Sequence, residues 1–281
     1  MKIIKAECCG FCTGVAFAYK KAVETAQKGQ KALILGYLVH NSDVITKLEN
    51  MGVHSIKDLD EIPVGVDRDA PLLIISAHGV GPGIYGKAKK MGLEIIDTTC
   101  PWVKKAQEIA KKLYEEGFRV VIIGDRDHIE VKGIKGWTQE SAIVVEGAED
   151  AANLPSFEKL GIVAQTTQSV ENFEKAVAVL RIKAAQIKVE NTICAATEKR
   201  QKAAIELAKQ TDLMIVIGDR KSANTNRLKE LCLQQGVETH MVHSAGEIRP
   251  EWLKDKKTVG ITAGASTPDW VIKEIVDRLE R

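Results

Sequence analysis

The sequence predicts an α/β fold of three pseudo-repeated small units, each built on a mostly parallel sheet. Three observations predict it. Three apolar runs end in glycine: Ala32-Leu-Ile-Leu-Gly36, Val120-Val-Ile-Ile-Gly124 and Met214-Ile-Val-Ile-Gly218. Each glycine lies 24 residues after a cysteine, namely Cys12, Cys100 and Cys194. An amphipathic helical pattern fills each interval, and short apolar strands alternating with helices argue for parallel sheets, because parallel strands need crossover connections.

The elements follow in order. Ile3-Ile4 forms a strand running into the first cysteine loop, and Val15, Ala18, Ala22 and Val23 mark one face of the helix after Cys12. After the strand ending at Gly36 come His40, four residues on, and a further apolar run, Leu72-Leu-Ile-Ile-Ser-Ala-His78, with a helix behind it. Ile95-Ile96 leads into Cys100, and Val103, Ala106, Ile109, Ala110 and Leu113 share a helix face that Gly117 terminates. His128 stands four residues beyond Gly124, and Gly161-Ile-Val-Ala-Gln-Thr-Thr167 is the corresponding later run. Ile187-Lys-Val189 leads into Cys194, followed by a helix marked by Ala203, Ala204, Leu207 and Ala208. Ser222 stands four residues beyond Gly218, Val259-Gly-Ile-Thr-Ala-Gly-Ala-Ser266 is the last strand with its loop, and Pro268 to Leu279 is the last helix. The expected units are 1–99, 100–193 and 194–281, with no Pro/Gly/Ser-rich linker between them. In open α/β sheets ligands bind beyond the carboxyl ends of strands, so nine loops are expected to converge on one central site around a pseudo-threefold axis.

Composition narrows the function. With 44% hydrophobic residues and 40 Lys+Arg against 38 Asp+Glu in 281 residues, the chain is an ordinary globular one. Lys and Arg form no block of the kind that neutralises phosphates along a nucleic acid, so no nucleic-acid partner is expected. The start lacks a signal peptide's apolar stretch and no run is long enough to span a bilayer, so no membrane partner and a cytoplasmic location are expected.

Six cysteines in a reducing compartment point to metal, catalysis or burial rather than disulfides. Cys232 completes an apolar helix stripe with Leu228 and Leu231 and reads as core. Cys9-Gly-Phe-Cys12 is a lone C-x-x-C, and Cys8 and Cys9 remain divided between packed thiols and a redox pair. Cys12, Cys100 and Cys194 share a register, each at a strand-to-helix turn where the helix dipole favours a thiolate. They suit either zinc in a three-sulfur site or an iron-sulfur cluster; a four-iron cluster normally takes four cysteines, so three leave one iron without a protein ligand.

The other loops share a theme. His40-Asn41, Ser76-Ala-His78, His128, Ser222-Ala-Asn224-Thr-Asn226 and Ser266 offer donors suited to a phosphate, although a single Ser or Asn at a helix start is ordinarily a cap. Glu130, in His128-Ile-Glu130, is a carboxylate among them; near an anion its pKa would rise, so that it holds a proton for delivery, with Thr166 or Thr167 as relay.

Together Gly10-Phe-Cys12-Thr-Gly-Val15, Leu38-Val-His-Asn41, Ser76-Ala-His-Gly-Val80, Asp97-Thr-Thr-Cys-Pro101, Gln165-Thr-Thr167, Ile193-Cys194, Asn224-Thr-Asn-Arg227 and Thr262-Ala-Gly-Ala-Ser266 resemble the 4-hydroxy-3-methylbut-2-enyl diphosphate reductase family over essentially the whole chain. The resemblance implies a reductive dehydration yielding isopentenyl and dimethylallyl diphosphates, the last step of the methylerythritol phosphate route. It implies a [4Fe-4S] cluster on Cys12, Cys100 and Cys194, with the fourth iron taking the substrate's hydroxyl oxygen and electrons from an external donor such as ferredoxin or flavodoxin. Carried over residue by residue, the diphosphate contacts fall on His40, His78, His128, Ser222, Asn224 and Ser266, and the proton donor on Glu130 with Thr166 beside it, Thr166 also counting among the substrate-binding residues. Ile129 stands where the family usually has proline, which would leave Glu130 less fixed, and Ala223 replaces a common hydroxyl residue. Some relatives carry RNA-binding-like domains after the reductase part; none is expected after Arg281.

Two other classes share parts of this pattern. Quinolinate synthase and diphthamide-forming enzymes resemble the three-unit, three-cysteine plan, but their motifs do not match. An electron carrier or redox sensor would have no use for the clustered His, Ser and Asn donors.

Overall fold

The computed structural model describes residues 1–62 and 71–280; residues 63–70 and 281, which fall in the expected first and third units, lie outside the described residues. The strands and helices are β1 (Lys2–Lys5), α1 (Thr13–Gln27), β2 (Ala32–Leu35), α2 (Ser42–Glu49), β3 (Val53–Ile56), β4 (Leu72–Ile75), α3 (Pro82–Lys90) and β5 (Ile95–Asp97). Then come α4 (Pro101–Glu115), β6 (Arg119–Ile123), α5 (Ile129–Gly136), β7 (Ile143–Val145), α6 (Ala148–Ala152), β8 (Phe157–Ala164), α7 (Val170–Arg181) and β9 (Ala184–Val189). The last group is α8 (Ala195–Ala208), β10 (Leu213–Ile217), α9 (Ala223–Gln234), β11 (Glu238–Val242), α10 (Pro250–Leu253), β12 (Thr258–Ala263) and α11 (Asp269–Leu279).

The strands form three four-stranded sheets, ordered β3-β2-β4-β5, β7-β6-β8-β9 and β1-β12-β10-β11, and every pairing is parallel. The three orders are one order repeated. In each sheet the strand that runs into the next cysteine forms one edge: β5 before Cys100, β9 before Cys194 and β1 before Cys12. The strand 2–5, which lies in the 1–99 segment, therefore pairs with β12, from Lys2 opposite Thr258 to Lys5 opposite Ile261. The repeat is circular: the last sheet takes its fourth strand from the start of the chain. The opposite edge of each sheet is β3, β7 or β11; β3 and β11 carry polar residues such as His54, Ser55 and Thr239, and β7 is an apolar run of only three residues, Ile143–Val145.

The chain divides into two compact units. One comprises Met1–Val15, His40–Val44 and Ala195–Arg281; the other comprises Ala16–Val39 and Ile45–Cys194. The first unit holds the sheet β1-β12-β10-β11, covered on one side by α11, with Val271, Ile272 and Ile275 packed on Ile215, Val259 and Ile261. On its other side Ala204, Leu207 and Leu228 pack with Met214, Val216 and Cys232. The second unit holds the other two sheets. Leu33, Leu73 and Ile75 form a core with Ala88 of α3, and β6 and β8 are packed on one side by Ala106, Ala110 and Leu113 of α4 and on the other by Phe173, Ala176 and Leu180 of α7. Small residues permit a close approach between α3's start and α5: a Cβ on Gly136 would stand 2.9 Å from the Gly81 Cα.

The glycine ending β10 is a steric requirement. Gly218 adopts φ +150°, and a Cβ there would lie 2.6 Å from Thr225 Oγ1 and 2.8 Å from Thr267 Oγ1, so the chain turns into the loop after β10 only without a side chain. Among the described residues no helix is long and apolar enough to cross a membrane.

Candidate active site

Each unit gathers the expected residues at the carboxyl ends of its strands. In the second unit, Ala77, just before His78, accepts the Cys100 backbone N–H at 3.0 Å, and Thr166 accepts that of Cys194 at 3.0 Å. In the first unit, Ala265, just before Ser266, accepts the Cys12 N–H at 3.2 Å. A cysteine is thus tied to the loop after the third strand of its sheet in all three repeats, which explains the shared register. Each cysteine directly precedes a helix, since α1 begins at Thr13, α4 at Pro101 and α8 at Ala195. The Val15 N–H points at Cys12 Sγ, 3.5 Å away, so the first turn of α1 offers the sulfur a donor. Cys12, Cys100 and Cys194 are thiols of intermediate exposure. Cys12 belongs to the first unit, Cys100 and Cys194 to the second.

Within the second unit, Glu130 is 2% exposed. Its Oε1 accepts the Thr166 backbone N–H at 2.6 Å and its Oε2 accepts the Thr166 hydroxyl at 2.9 Å. Burial pushes its carboxyl up to about 7, against the pull of the two Thr166 hydrogen bonds, with Asp125 adding to the rise. Ile129 occupies the first helical position of α5, where proline is tolerated but not required, and Glu130 is fixed by its own two bonds. Thr166, rather than Thr167, is its partner; Thr167 Oγ1 accepts from Gln165 Nε2 at 2.8 Å.

His128 caps α5, its Nδ1 accepting the Glu130 N–H at 3.2 Å, which assigns the neutral ring's proton to Nε2 and makes that nitrogen a donor. His78 stands edge-on to it, ring centroids 5.4 Å apart. Ser76, in the same loop, has a buried Oγ with no hydrogen-bond partner among the described residues.

Within the first unit, Ser222 caps α9 by accepting the Thr225 N–H at 3.3 Å, and the Ser266 hydroxyl donates to the His40 carbonyl at 3.1 Å while lying 3.4 Å from Ser222 Oγ. His40, Ser222 and Ser266 therefore come together, and Cys12 is tied to the residue before Ser266. Burial lowers the His40 pKa, with Asp219 opposing and Lys221 reinforcing, which favours the neutral ring. Asn224, 4% exposed, has neither Oδ1 nor Nδ2 bonded among the described residues, and Asn41 Nδ2 is likewise unbonded. Buried amides are normally satisfied, so an amide with both ends unmet, two residues into a helix, leaves a donor and an acceptor unused at this helix start.

Other sequence candidates have structural duties. Asn41 Oδ1 caps α2 through the Val44 N–H at 3.1 Å, and Asn226 Nδ2 donates to the Arg220 carbonyl at 2.8 Å. Cys232 is core, its thiol pushed up to about 12 by burial. Cys9 packs against the β10–β12 core, and burial pushes its thiol up to about 11, which favours the packed reading.

The sequence reading missed Arg200. It is 4% exposed, and its Nη2 donates to the Gly10 carbonyl at 2.7 Å, holding the turn before Cys12, where Gly10 has φ +88°. The signal was present: Thr197, Arg200, Gln201 and Ala204 occupy the buried stripe of α8, so polar groups stand where apolar ones belong.

Residues 3–280 match the family described as LytB protein. The chain is 45% identical over 279 residues to a protein of Pelobacter propionicus named 4-hydroxy-3-methylbut-2-enyl diphosphate reductase, covering 99% of this chain and 98% of that one. A protein of Geotalea uraniireducens with the same name is 44% identical over 281 residues, covering 100% and 98%. Among solved structures, the E-1-hydroxy-2-methyl-but-2-enyl-4-diphosphate reductase of Plasmodium falciparum superposes with a TM-score of 0.93 at 30% identity, covering 100% of this chain and 88% of that one. A structure of (E)-4-hydroxy-3-methyl-but-2-enyl diphosphate reductase, described as the terminal enzyme of the non-mevalonate pathway, gives a TM-score of 0.70 at 38% identity, covering 100% and 99%.

Proposed function

The chain belongs to the LytB protein family, and from that premise we propose that it reduces (E)-4-hydroxy-3-methylbut-2-enyl diphosphate to isopentenyl and dimethylallyl diphosphates, as an iron-sulfur oxidoreductase at the last step of the non-mevalonate, methylerythritol phosphate, pathway. The observation that carries the mechanism is the buried Glu130 carboxyl, held on both oxygens by Thr166 and protonated in part near neutral pH.

Cys12, Cys100 and Cys194 hold a [4Fe-4S] cluster in this reading, with one iron not ligated by protein. The donor set fits: each thiol stands directly before a helix N-terminus, and three thiolates are one short of a four-iron cluster's usual complement. Zinc could use the same sulfurs, but the reaction needs electrons that zinc cannot supply. When bound, the cluster supplies those electrons and a metal corner open to the leaving oxygen.

The residues of the chain do the rest. His40, His78, His128, Ser222, Asn224 and Ser266 bind the diphosphate, and the buried unmet amide of Asn224 supports this assignment most directly. Neutral His128 donates from Nε2, and α9's N-terminus adds a favourable dipole. A diphosphate so fixed orients the allylic carbon chain and excludes water. Glu130 delivers a proton and Thr166 aligns it. In the balance, the allylic C–O bond breaks, two electrons and two protons enter, one water leaves, and a C–H bond forms at either end of the allyl system. The electrons come from an external donor such as ferredoxin or flavodoxin. A cytoplasmic location fits the need to keep three thiols reduced.

The test is an anaerobic assay with a low-potential dye as electron source. The reading predicts two electrons consumed per allylic diphosphate and both five-carbon diphosphates as products. Dehydration without electron uptake would make the chain a dehydratase, and dye turnover without substrate loss an electron carrier.

Asn224 supplies a separate prediction. An unsatisfied buried amide costs about 1–3 kcal/mol, so the near-isosteric Asn224→Leu is expected to leave the melting temperature of the substrate-free protein unchanged or raised while KM rises about tenfold or more. Thermal melts and steady-state kinetics check both halves; a lower melting temperature with unchanged KM would make Asn224 purely structural.

A further inference from the structure

Five residues, His40–Val44, lie within the first repeat's stretch of sequence but belong to the compact unit that contains the third sheet. They include His40 and the start of α2, so whatever holds them sets the position of a proposed diphosphate ligand. Each of the three loops following β10, β11 and β12 supplies one fastening. After β10, Asp219 Oδ2 accepts the Ser42 backbone N–H at 3.2 Å. After β12, the Ser266 hydroxyl donates to the His40 carbonyl at 3.1 Å. After β11, His243 places its Nε2 2.9 Å from Ser42 Oγ and 3.2 Å from Asp43 Oδ2. Asp219 and Ser266 follow strands whose loops the sequence had singled out. His243 belongs to no motif, and nothing so far assigns it a purpose.

We propose that His243 is a positioning residue for diphosphate binding, clamping the turn that carries His40 and Asn41 through Ser42 and Asp43. The inference rests on the diphosphate reading given above. The ring acts through one atom: Nε2 hydrogen-bonds Ser42 Oγ and faces Asp43 Oδ2, which has no hydrogen-bond partner among the described residues, whereas Nδ1 is buried and likewise has none. The ring's own place is fixed from behind, where the His243 backbone N–H donates to Glu247 Oε2 at 3.2 Å, and Glu247 in turn pairs with Arg220 at 3.1 Å. His243 is thus aimed by the β11 end and grips α2's first turn by side-chain atoms only, a hold the backbone bonds from Asp219 and Ser266 do not duplicate.

This one-atom grip predicts which substitution substitutes for it. Glutamine carries a side-chain amide that reaches about as far as Nε2, whereas alanine reaches neither partner. The test uses anaerobically prepared holoenzyme and three measurements: calorimetric binding of inorganic diphosphate, KM and kcat for the allylic diphosphate, and amide hydrogen exchange over residues 40–44. His243→Ala is expected to weaken inorganic diphosphate binding and raise KM by about five- to tenfold each, leave kcat within about twofold, and speed exchange at the Val44 amide. His243→Gln is expected to restore most of all three. A parent enzyme that binds inorganic diphosphate beside a His243→Ala variant with unchanged affinity, or with unchanged exchange over 40–44, overturns the inference alone. A His243→Ala variant that loses its fold leaves the decision to His243→Gln, whose failure to keep parental affinity while folded also overturns it. A parent that neither binds inorganic diphosphate nor consumes the allylic diphosphate overturns the functional reading and this inference with it.

Discussion

Glu130→Gln is expected to lower turnover by about 10²–10⁴-fold, the usual range for loss of a positioned general acid, while KM stays within about threefold of the parent. The amide retains the shape of the side chain and still accepts the Thr166 N–H that now reaches Oε1 at 2.6 Å, so cluster and substrate binding persist. What it lacks is a transferable proton. The parent carboxyl, raised by burial to about 7, carries that proton at neutral pH, so parental turnover should decline on the alkaline side of about pH 7. The variant's residual rate should lack that limb. The same displacement appears in stability. Its folded pKa exceeds the ordinary value of 4.5, so between these pH values the folded chain keeps a proton that the unfolded chain has lost. Folding stability therefore falls as pH rises through that window, by about 3 kcal/mol at most, and is flat above it. Melting temperatures of Glu130→Gln should show a smaller decline than the parent from pH 5 to pH 8. Turnover within a few-fold of the parent would remove Glu130 from the proton path, and identical pH profiles would remove its buried carboxyl from the explanation.

Replacing Cys12, Cys100 or Cys194 by serine is expected to have the second large effect, loss of most of the bound iron and sulfide and with it all reductase activity. A serine hydroxyl is far less readily deprotonated than a thiol and is a poor match for iron in a sulfur-ligated cluster. The folds of these variants should survive, because the three cysteine loops are tied by backbone bonds to Ala265, Ala77 and Thr166 that serine keeps. Circular dichroism should match the parent while the visible absorption of the cluster disappears. Cys232→Ser supplies the contrast. Cys232 is fully buried against Leu228 and Ala204, so its replacement should lower stability by about 1–3 kcal/mol through a poorly satisfied hydroxyl yet leave iron content intact. A Cys100→Ser protein with parental iron, or a Cys232→Ser protein without it, would reverse these assignments.

Much of this was legible before any coordinates, because register survives divergence of the intervening residues. The 24-residue interval from each cysteine to its glycine corresponds to a helix of 14 or 15 residues, a turn and a strand of four or five, and a loop bond from Ala77, Thr166 or Ala265 to a cysteine recurs in all three repeats. The edge strands β3 and β11 carry little apolar signal because they are open on one side and free to hold residues such as His54 and Glu238, whereas β7, Ile143–Val145, is apolar but only three residues long. The pairing of β1 with β12 joins the two ends of the chain, and no local pattern marks such a contact. At the site, residue types pointed to Glu130 and Thr166, but the choice between Thr166 and Thr167 depends on which side of a turn faces the carboxyl. Arg200 and His243 act through single long-range bonds to Gly10 and Ser42, and only the folded arrangement pairs them.

The most direct test of the central claim is iron and acid-labile sulfide analysis of anaerobically purified protein, with its absorption and paramagnetic resonance spectra before and after the allylic diphosphate is added. The account predicts about four irons and four sulfides per chain and a spectrum that changes on substrate addition, as expected of a cluster with one iron open to a ligand. Zinc in place of iron, or an iron-sulfur spectrum indifferent to the substrate, would contradict it.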